Sequence, residues 1–88
     1  MIIVKRYTAS WCQPCKMVAP IMEELRKEYL SKGVNFITLD VDENNEQANQ
    51  DGVRSVPTVL IIKNGSEVHR IIGAQSITNY QSALNSVL

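Results

Sequence analysis

The order of strand-like and helix-like segments restricts the fold of this sequence more than any other feature. The strand candidates share β-branched and aromatic residues and lie at 2–8, 34–41, 58–63 and 67–72. The helix candidates lie between and after them, with apolar residues at helical spacing in 14–30 and 77–87 and a short, mostly polar stretch at 42–52. The resulting order, βαβαββα, predicts an α/β fold.

The connections between these segments predict one mixed sheet. The first two strands are joined through a helix and should therefore be parallel, with a right-handed crossover. The pair Asn64-Gly65 is a strong hairpin signal and should join the last two strands in antiparallel pairing. The apolar run Val59–Ile62 predicts that the third strand is buried on both faces. We expect a single domain over residues 1–88, a four-stranded mixed sheet flanked by helices.

The composition narrows the classes of partner. Nine basic residues balance nine acidic ones, so the chain lacks the excess positive charge with which proteins bind nucleic acids or anionic lipids. No apolar run approaches the roughly 20 residues that cross a membrane. Charged residues follow the first apolar run instead of preceding it, unlike in a signal peptide. We therefore expect a cytoplasmic location, in a compartment that keeps thiols reduced. We also expect a monomer.

Both cysteines of the chain lie in one short segment, Ser10–Lys16, which reads SWCQPCK. A structural zinc site needs four ligands, and His69 is the only further candidate apart from carboxylates, so we expect no metal. We expect His69 on a strand surface instead. A permanent disulfide is also disfavoured, because so short a loop removes little entropy from the unfolded chain. Reversible redox chemistry is the favoured interpretation.

The position of this pair between a strand and a helix supports thiol chemistry. Cys12 should lie just before the first helical turn, where free backbone N–H groups and the helix dipole stabilise a thiolate. Pro14 suits an early helical position, which needs no N–H, and Cys15 should be more buried inside the first turn. We expect Cys12 to attack a substrate disulfide and Cys15 to resolve the resulting mixed disulfide.

The segment WCQPCKMVAP resembles the active-site stretch of the thioredoxin family, whose usual form is Trp-Cys-Gly-Pro-Cys-Lys with a proline five residues after the second cysteine. The segments VRSVPT, KNG and IIGA are similar to the family's cis-proline loop, hairpin and glycine stretch. The resemblance implies a thioredoxin fold and the reduction of protein disulfides through the two thiols, without a bound cofactor. It also implies that an NADPH-linked thioredoxin reductase restores the dithiol.

Five residues resemble the family's substrate-binding surface: Trp11, Val56, Pro57, Gly73 and Ala74. By this resemblance, Trp11 packs beside the cysteines, and Pro57 follows a cis peptide bond that faces the disulfide. The backbone of Val56 is then expected to pair with an extended substrate segment. Gly73 and Ala74 should form a flat rim, where a bare Cα lets a substrate backbone approach closely. A loop anchor for Trp11 and an ordinary turn at Gly73 are the structural alternatives.

Two positions inside the site depart from the family pattern. Gln13 replaces the usual glycine between the cysteines, and with Pro14 it is a candidate for tuning the redox potential, although a loop glutamine is most often exposed. Arg6 stands where the family usually buries an aspartate that accepts the proton of the resolving thiol, and Thr38 replaces the lysine that pairs with it. Arginine cannot serve as a base, so the proton of Cys15 must go to water, to the departing substrate thiolate, or to Asp40 or Asp42, which are nearby in the chain. Arg6 should therefore reach solvent or a carboxylate, or favour the thiolate from nearby.

The short architecture, which starts at the family's central strand, suggests a glutathione-dependent, glutaredoxin-like reductase as a rival interpretation. The Trp-Cys-x-Pro-Cys core opposes it, because glutaredoxins typically have a Pro-Tyr pair at this place. A second rival is a thioredoxin-fold binding subunit that does not need its thiols. The sequence favours a protein-disulfide reductase similar to thioredoxin over both.

Overall fold

The computed structural model describes residues 1–88. Four strands form the sheet: β1 (Ile2–Thr8), β2 (Val34–Asp40), β3 (Thr58–Lys63) and β4 (Ser66–Ile72). Three α-helices accompany them: α1 (Gln13–Tyr29), α2 (Asn45–Gln50) and α3 (Ile77–Asn85), and a 3-10 turn, Leu30–Lys32, follows α1. The predicted order is confirmed, and every strand boundary lies within one residue of its predicted place.

The sheet is mixed, with the strand order β2-β1-β3-β4. β1 pairs in parallel with β2 and antiparallel with β3, which in turn pairs antiparallel with β4. The turn between β3 and β4 has a positive φ at Asn64 (52°) and at Gly65 (85°), a conformation that asparagine and glycine tolerate best. The hairpin prediction is confirmed, and β1 lies inside the sheet with both of its edges paired.

The sheet buries apolar side chains on both faces. The face covered by α1 and α3 carries the larger cluster, made of Ile2, Val4, Val18, Met22, Leu25, Tyr29, Val34, Val59, Ile61, Tyr80 and Leu84. The face covered by α2 carries a smaller cluster of Tyr7, Ala48 and Leu60. β3 contributes to both clusters because successive side chains alternate between the faces, which confirms its predicted burial. None of the helices is both long and apolar enough to cross a membrane.

The helices begin and end at residues that can satisfy their free backbone groups. Ser76 caps α3 by accepting the Asn79 N–H at 3.4 Å. The turn after α1 ends at Gly33, whose φ of 78° suits glycine. At α2 the residue at the cap position makes no such hydrogen bond. Asn44 holds the cap position, but its amide turns back and donates to the Asp40 carbonyl at 3.0 Å instead of accepting a helical N–H.

A polar network fastens the end of α2 to the sheet. The Asp51 carboxylate accepts hydrogen bonds from Tyr7 Oη at 2.5 Å and from Lys5 Nζ at 3.0 Å, both on β1. Arg70 on β4 donates to the Asp51 carbonyl at 2.6 Å. Burial acts to raise the pKa of Asp51, but the hydrogen bonds from Tyr7 and Lys5 outweigh it and hold the pKa below its ordinary value. The carboxylate therefore stabilises the fold above its unfolded-state pKa, and this contribution is lost as the pH falls through the folded-state value.

We expect Asp51→Asn to lower the free energy of unfolding at neutral pH by roughly 1.5–3 kcal/mol, because hydrogen bonds to a charged carboxylate are lost. Urea unfolding followed by circular dichroism measures this change. This loss of stability should shrink in acid, where protonation makes the wild-type carboxyl group as uncharged as the asparagine amide. The matched control is Glu23→Gln, which neutralises an exposed carboxylate paired with Arg26 and should change stability little. Equal losses in the two variants would contradict a special contribution of the network.

Candidate active site

The two cysteines lie at the junction between β1 and α1 and form a disulfide, with their Cα atoms 5.3 Å apart. β1 ends at Thr8, and the Cys12 N–H then donates to the Ala9 carbonyl at 3.2 Å, which closes the turn into the helix. Because β1 is paired on both edges, this turn begins from a fixed point of the sheet. The chain thus presents its cysteines at the carboxyl end of an interior strand.

The start of α1 gives the two sulfur atoms different surroundings. Cys12 is the N-cap residue, and the Cys15 N–H donates to Cys12 Sγ at 3.2 Å. The first turn of α1 contains no acidic residue that would oppose a negative charge there. After reduction, this N–H and the positive end of the helix dipole both favour a thiolate at Cys12. Pro14 lies in the first turn, where its missing N–H costs nothing, and Gln13 beside it is exposed.

Both cysteines are largely buried in the disulfide form. Cys12 is 4 % exposed and Cys15 is 2 % exposed. Cys15 is therefore the more buried cysteine, as predicted, but the difference is small. Their side chains pack with Ala9, and Val41 and Val56 lie against this cluster. The Val56 carbonyl oxygen lies 3.6 Å from Cys12 Sγ. An apolar surround of this kind keeps water away from the sulfur atoms.

The loop before β3 and the turn after β4 meet at this site. The peptide bond between Val56 and Pro57 is cis, as the family resemblance implies, and Pro57 is buried. The Gly73 N–H donates to the Pro57 carbonyl at 2.8 Å, and Ala74 beyond it is exposed. A Cβ at Gly73 would meet no protein atom within 4 Å, so its φ of 85° is what favours glycine at this position. The structure therefore places Val56 beside Cys12 and joins Gly73 to the neighbouring Pro57.

Trp11 forms one wall of a cleft next to the disulfide. Its side chain is 66 % exposed, and the indole N–H donates to Asp42 Oδ2 at 3.0 Å. The cleft measures about 320 Å³, and apolar and polar residues share its lining equally: Trp11, Val41, Asp42, Asn45, Ala48, Asn49, Val53, Arg54, Ser55 and Val56. Most of this lining was not predicted from the sequence. Asp42 was predicted only as a candidate base for Cys15, and its place in the cleft follows from its position after β2, because the carboxyl ends of parallel strands meet at one edge of a sheet.

Arg6 forms no ion pair with a carboxylate. Its guanidinium donates to Thr38 Oγ1 at 3.3 Å, at the exposed edge formed by β2. The side chain is half-buried, and this burial lowers the pKa of the guanidinium. Asp40, one of the two carboxylates considered as a base for Cys15, accepts the N–H groups of Asp42 and Glu43 at 2.8 and 3.4 Å. Of the two candidate bases, only Asp42 contacts a residue of the site.

The chain matches one family model and is similar to several known proteins. The family model described as Thioredoxin matches residues 1–86. Thioredoxin from Synechocystis sp. is 42% identical over 82 residues, which are 93% of this chain and 76% of that relative. Thioredoxin from Bacillus subtilis is 39% identical over 87 residues, or 99% of this chain and 83% of that relative. A solved structure of a mutant thioredoxin from Halobacterium salinarum has a TM-score of 0.90 and 30% identity, over 97% of this chain and 73% of that one.

On the hypothesis that the Arg6 charge acts on the thiols, we expect Arg6→Met to reduce the fraction of Cys12 that is thiolate at neutral pH, because a cation without a carboxylate partner favours an anion. Thiolate absorbance of the reduced protein, followed through a pH titration, measures this fraction. Arg6→Lys keeps the positive charge and serves as the matched control. If the methionine variant titrated as the wild type does, Arg6 would have no electrostatic part in the site.

Proposed function

The chain belongs to the thioredoxin family of protein-disulfide oxidoreductases, and from this we propose that it reduces protein disulfides with Cys12 as the nucleophile and Cys15 as the resolving thiol. The observation that carries the assignment is the hydrogen bond from the Cys15 N–H to Cys12 Sγ at the start of α1. It gives Cys12, and not Cys15, a backbone donor that stabilises a thiolate. The thiolate is the species that attacks a disulfide.

The proposed cycle moves two electrons from the dithiol to the substrate. The Cys12 thiolate attacks one sulfur of a substrate disulfide, forms a mixed disulfide and releases the other substrate sulfur as a thiolate. Cys15 then loses its proton and attacks Cys12 Sγ, which closes the Cys12–Cys15 disulfide and releases the second substrate sulfur. We assign the Cys15 proton to the first substrate thiolate, directly or through water. The disulfide present in the structure corresponds to the end of this cycle.

We propose that the substrate chain lies across Val56 and Pro57, between Trp11 and the rim formed by Gly73 and Ala74. Val56 precedes β3 in irregular backbone, and its carbonyl oxygen lies 3.6 Å from Cys12 Sγ. A substrate segment that pairs with this backbone in extended form would carry its sulfur toward Cys12. The exposed indole of Trp11 offers an apolar surface beside the cleft, which supports its place at one side of the bound substrate chain.

Thioredoxins in general act on disulfide-containing proteins and receive electrons from a thioredoxin reductase. We propose the same two partners for this chain, with the redox-active disulfide Cys12–Cys15 as the sole electron carrier and no bound cofactor or metal. The balance of nine basic and nine acidic residues supports a protein that binds neither nucleic acid nor a membrane surface. We further propose that it works as a monomer in the cytoplasm, where its disulfide can be reduced again.

We expect Cys12→Ser to abolish the reduction of a protein disulfide such as that of insulin, because no thiolate remains to attack it. Cys15→Ser should attack once and accumulate a mixed disulfide with the substrate, since the resolving thiol is missing. NADPH consumption with a thioredoxin reductase measures turnover, and mass spectrometry of the unreduced mixture detects the adduct.

The same assay with glutathione and glutathione reductase provides the control for the electron donor. Thioredoxin reductase should support rapid turnover and glutathione should not. Retained turnover by Cys12→Ser, or an adduct formed through Cys15 instead of Cys12, would contradict the assigned roles. Equal turnover with glutathione would favour a glutaredoxin-like activity.

A further inference from the structure

Tyr80 places a polar group directly behind the substrate-facing rim. The residue lies in α3 and is only 1 % exposed, with its ring in the large apolar cluster between α1, α3 and the sheet. Its hydroxyl leaves this cluster at one end and donates to the Gly73 carbonyl at 3.4 Å. The same oxygen accepts the Gln75 N–H at 3.3 Å. One side-chain oxygen thus satisfies two backbone groups of the same loop.

These two hydrogen bonds hold the loop on either side of Ala74. Gly73 and Gln75 are anchored from below, and Ala74 between them is exposed. The Gln75 side chain makes further bonds, to the Ile72 carbonyl at 3.5 Å and with Asn79 at 2.9 Å, but both are solvent-exposed. Hydrogen bonds in contact with water add little net stability, so the buried hydroxyl is the stronger constraint on this loop.

A short series of contacts links this hydroxyl to the reacting sulfur. Gly73, which accepts from Tyr80, donates its N–H to the Pro57 carbonyl at 2.8 Å. Pro57 follows Val56, whose carbonyl oxygen lies 3.6 Å from Cys12 Sγ. Burial raises the pKa of Tyr80, against smaller opposing effects of the Gln75 N–H and the Arg6 charge. The hydroxyl therefore stays protonated around neutral pH and remains able to donate to Gly73.

We propose that Tyr80 is a positioning residue, whose hydroxyl holds the rim at Gly73 and Ala74 in the conformation that receives a substrate backbone. This inference rests on the proposed function, in which the rim borders the bound substrate chain. A protein substrate needs the rim, because its backbone extends on both sides of the disulfide. A small disulfide such as cystamine has no such backbone and needs only access to Cys12. Loss of the hydroxyl should therefore affect the two kinds of substrate differently.

The test compares Tyr80→Phe with Tyr29→Phe. Both tyrosines are 1 % exposed and belong to the same apolar cluster, but the Tyr29 hydroxyl donates to Asn85 at 2.7 Å, which is not part of the active site. We expect Tyr80→Phe to raise KM for the protein disulfide by about three- to tenfold, the range for one lost hydrogen bond, with kcat nearly unchanged. Reduction of cystamine should not change in either variant, and Tyr29→Phe should retain the wild-type KM for the protein disulfide.

Amide hydrogen exchange gives a readout that does not depend on activity. The Gln75 N–H should exchange faster in Tyr80→Phe than in Tyr29→Phe, because its acceptor is gone. Wild-type KM for the protein disulfide in Tyr80→Phe, or an equal rise for both disulfides, would overturn the positioning role while leaving the proposed function intact. A wild-type protein that reduced neither disulfide would overturn the proposed function, and with it any part that Tyr80 plays in substrate binding.

Discussion

The position of Cys12 at the first turn of α1 is the constraint on which the rest of the site depends. The Cys15 N–H reaches Cys12 Sγ only because the helix begins at that residue, immediately after a strand that is paired on both edges. The group that stabilises the sulfur anion is therefore part of the backbone, and no basic or imidazolium side chain has to supply it. Any change that moved the start of α1 by one residue would remove this donor from the nucleophile.

The two faces of the sheet stabilise this junction in different ways. On one face, α1 and α3 bury the large apolar cluster, which also contains Tyr80 and so extends to the rim at Gly73. On the other face the apolar cluster is small, and the Asp51 network fastens the end of α2. Because α2 provides Asn45, Ala48 and Asn49 to the cleft beside Trp11, that polar network also fixes one wall of the site.

The sequence was sufficient for the elements and for the residues that are contiguous with the cysteines. The helical periodicity, the Asn64-Gly65 turn and the apolar run in β3 each reflect a conformational preference of neighbouring residues. Such local preferences decide where helices and strands begin and end. Val56 and Gly73 were reached only through the family resemblance, since Val56 meets Cys12 across 44 positions of the chain. The bonds of Tyr80, Asp51 and Trp11 were not predicted. Periodicity shows which face a side chain occupies, but not which polar atoms meet once several elements have packed together.

Arg6 shows how a departure from the family pattern changes the account of proton transfer. Its guanidinium cannot accept the proton of Cys15, and Asp40 is occupied by the N–H groups of Asp42 and Glu43. Each turn of the cycle releases one substrate thiolate before Cys15 loses its proton. An ordinary cysteine has a pKa of about 8.5, so its thiolate is a sufficient base for another thiol. A base supplied by each substrate requires no resident carboxylate. The half-buried Arg6 can therefore occupy the position where the family usually buries an acid, and the protons of the cycle still balance.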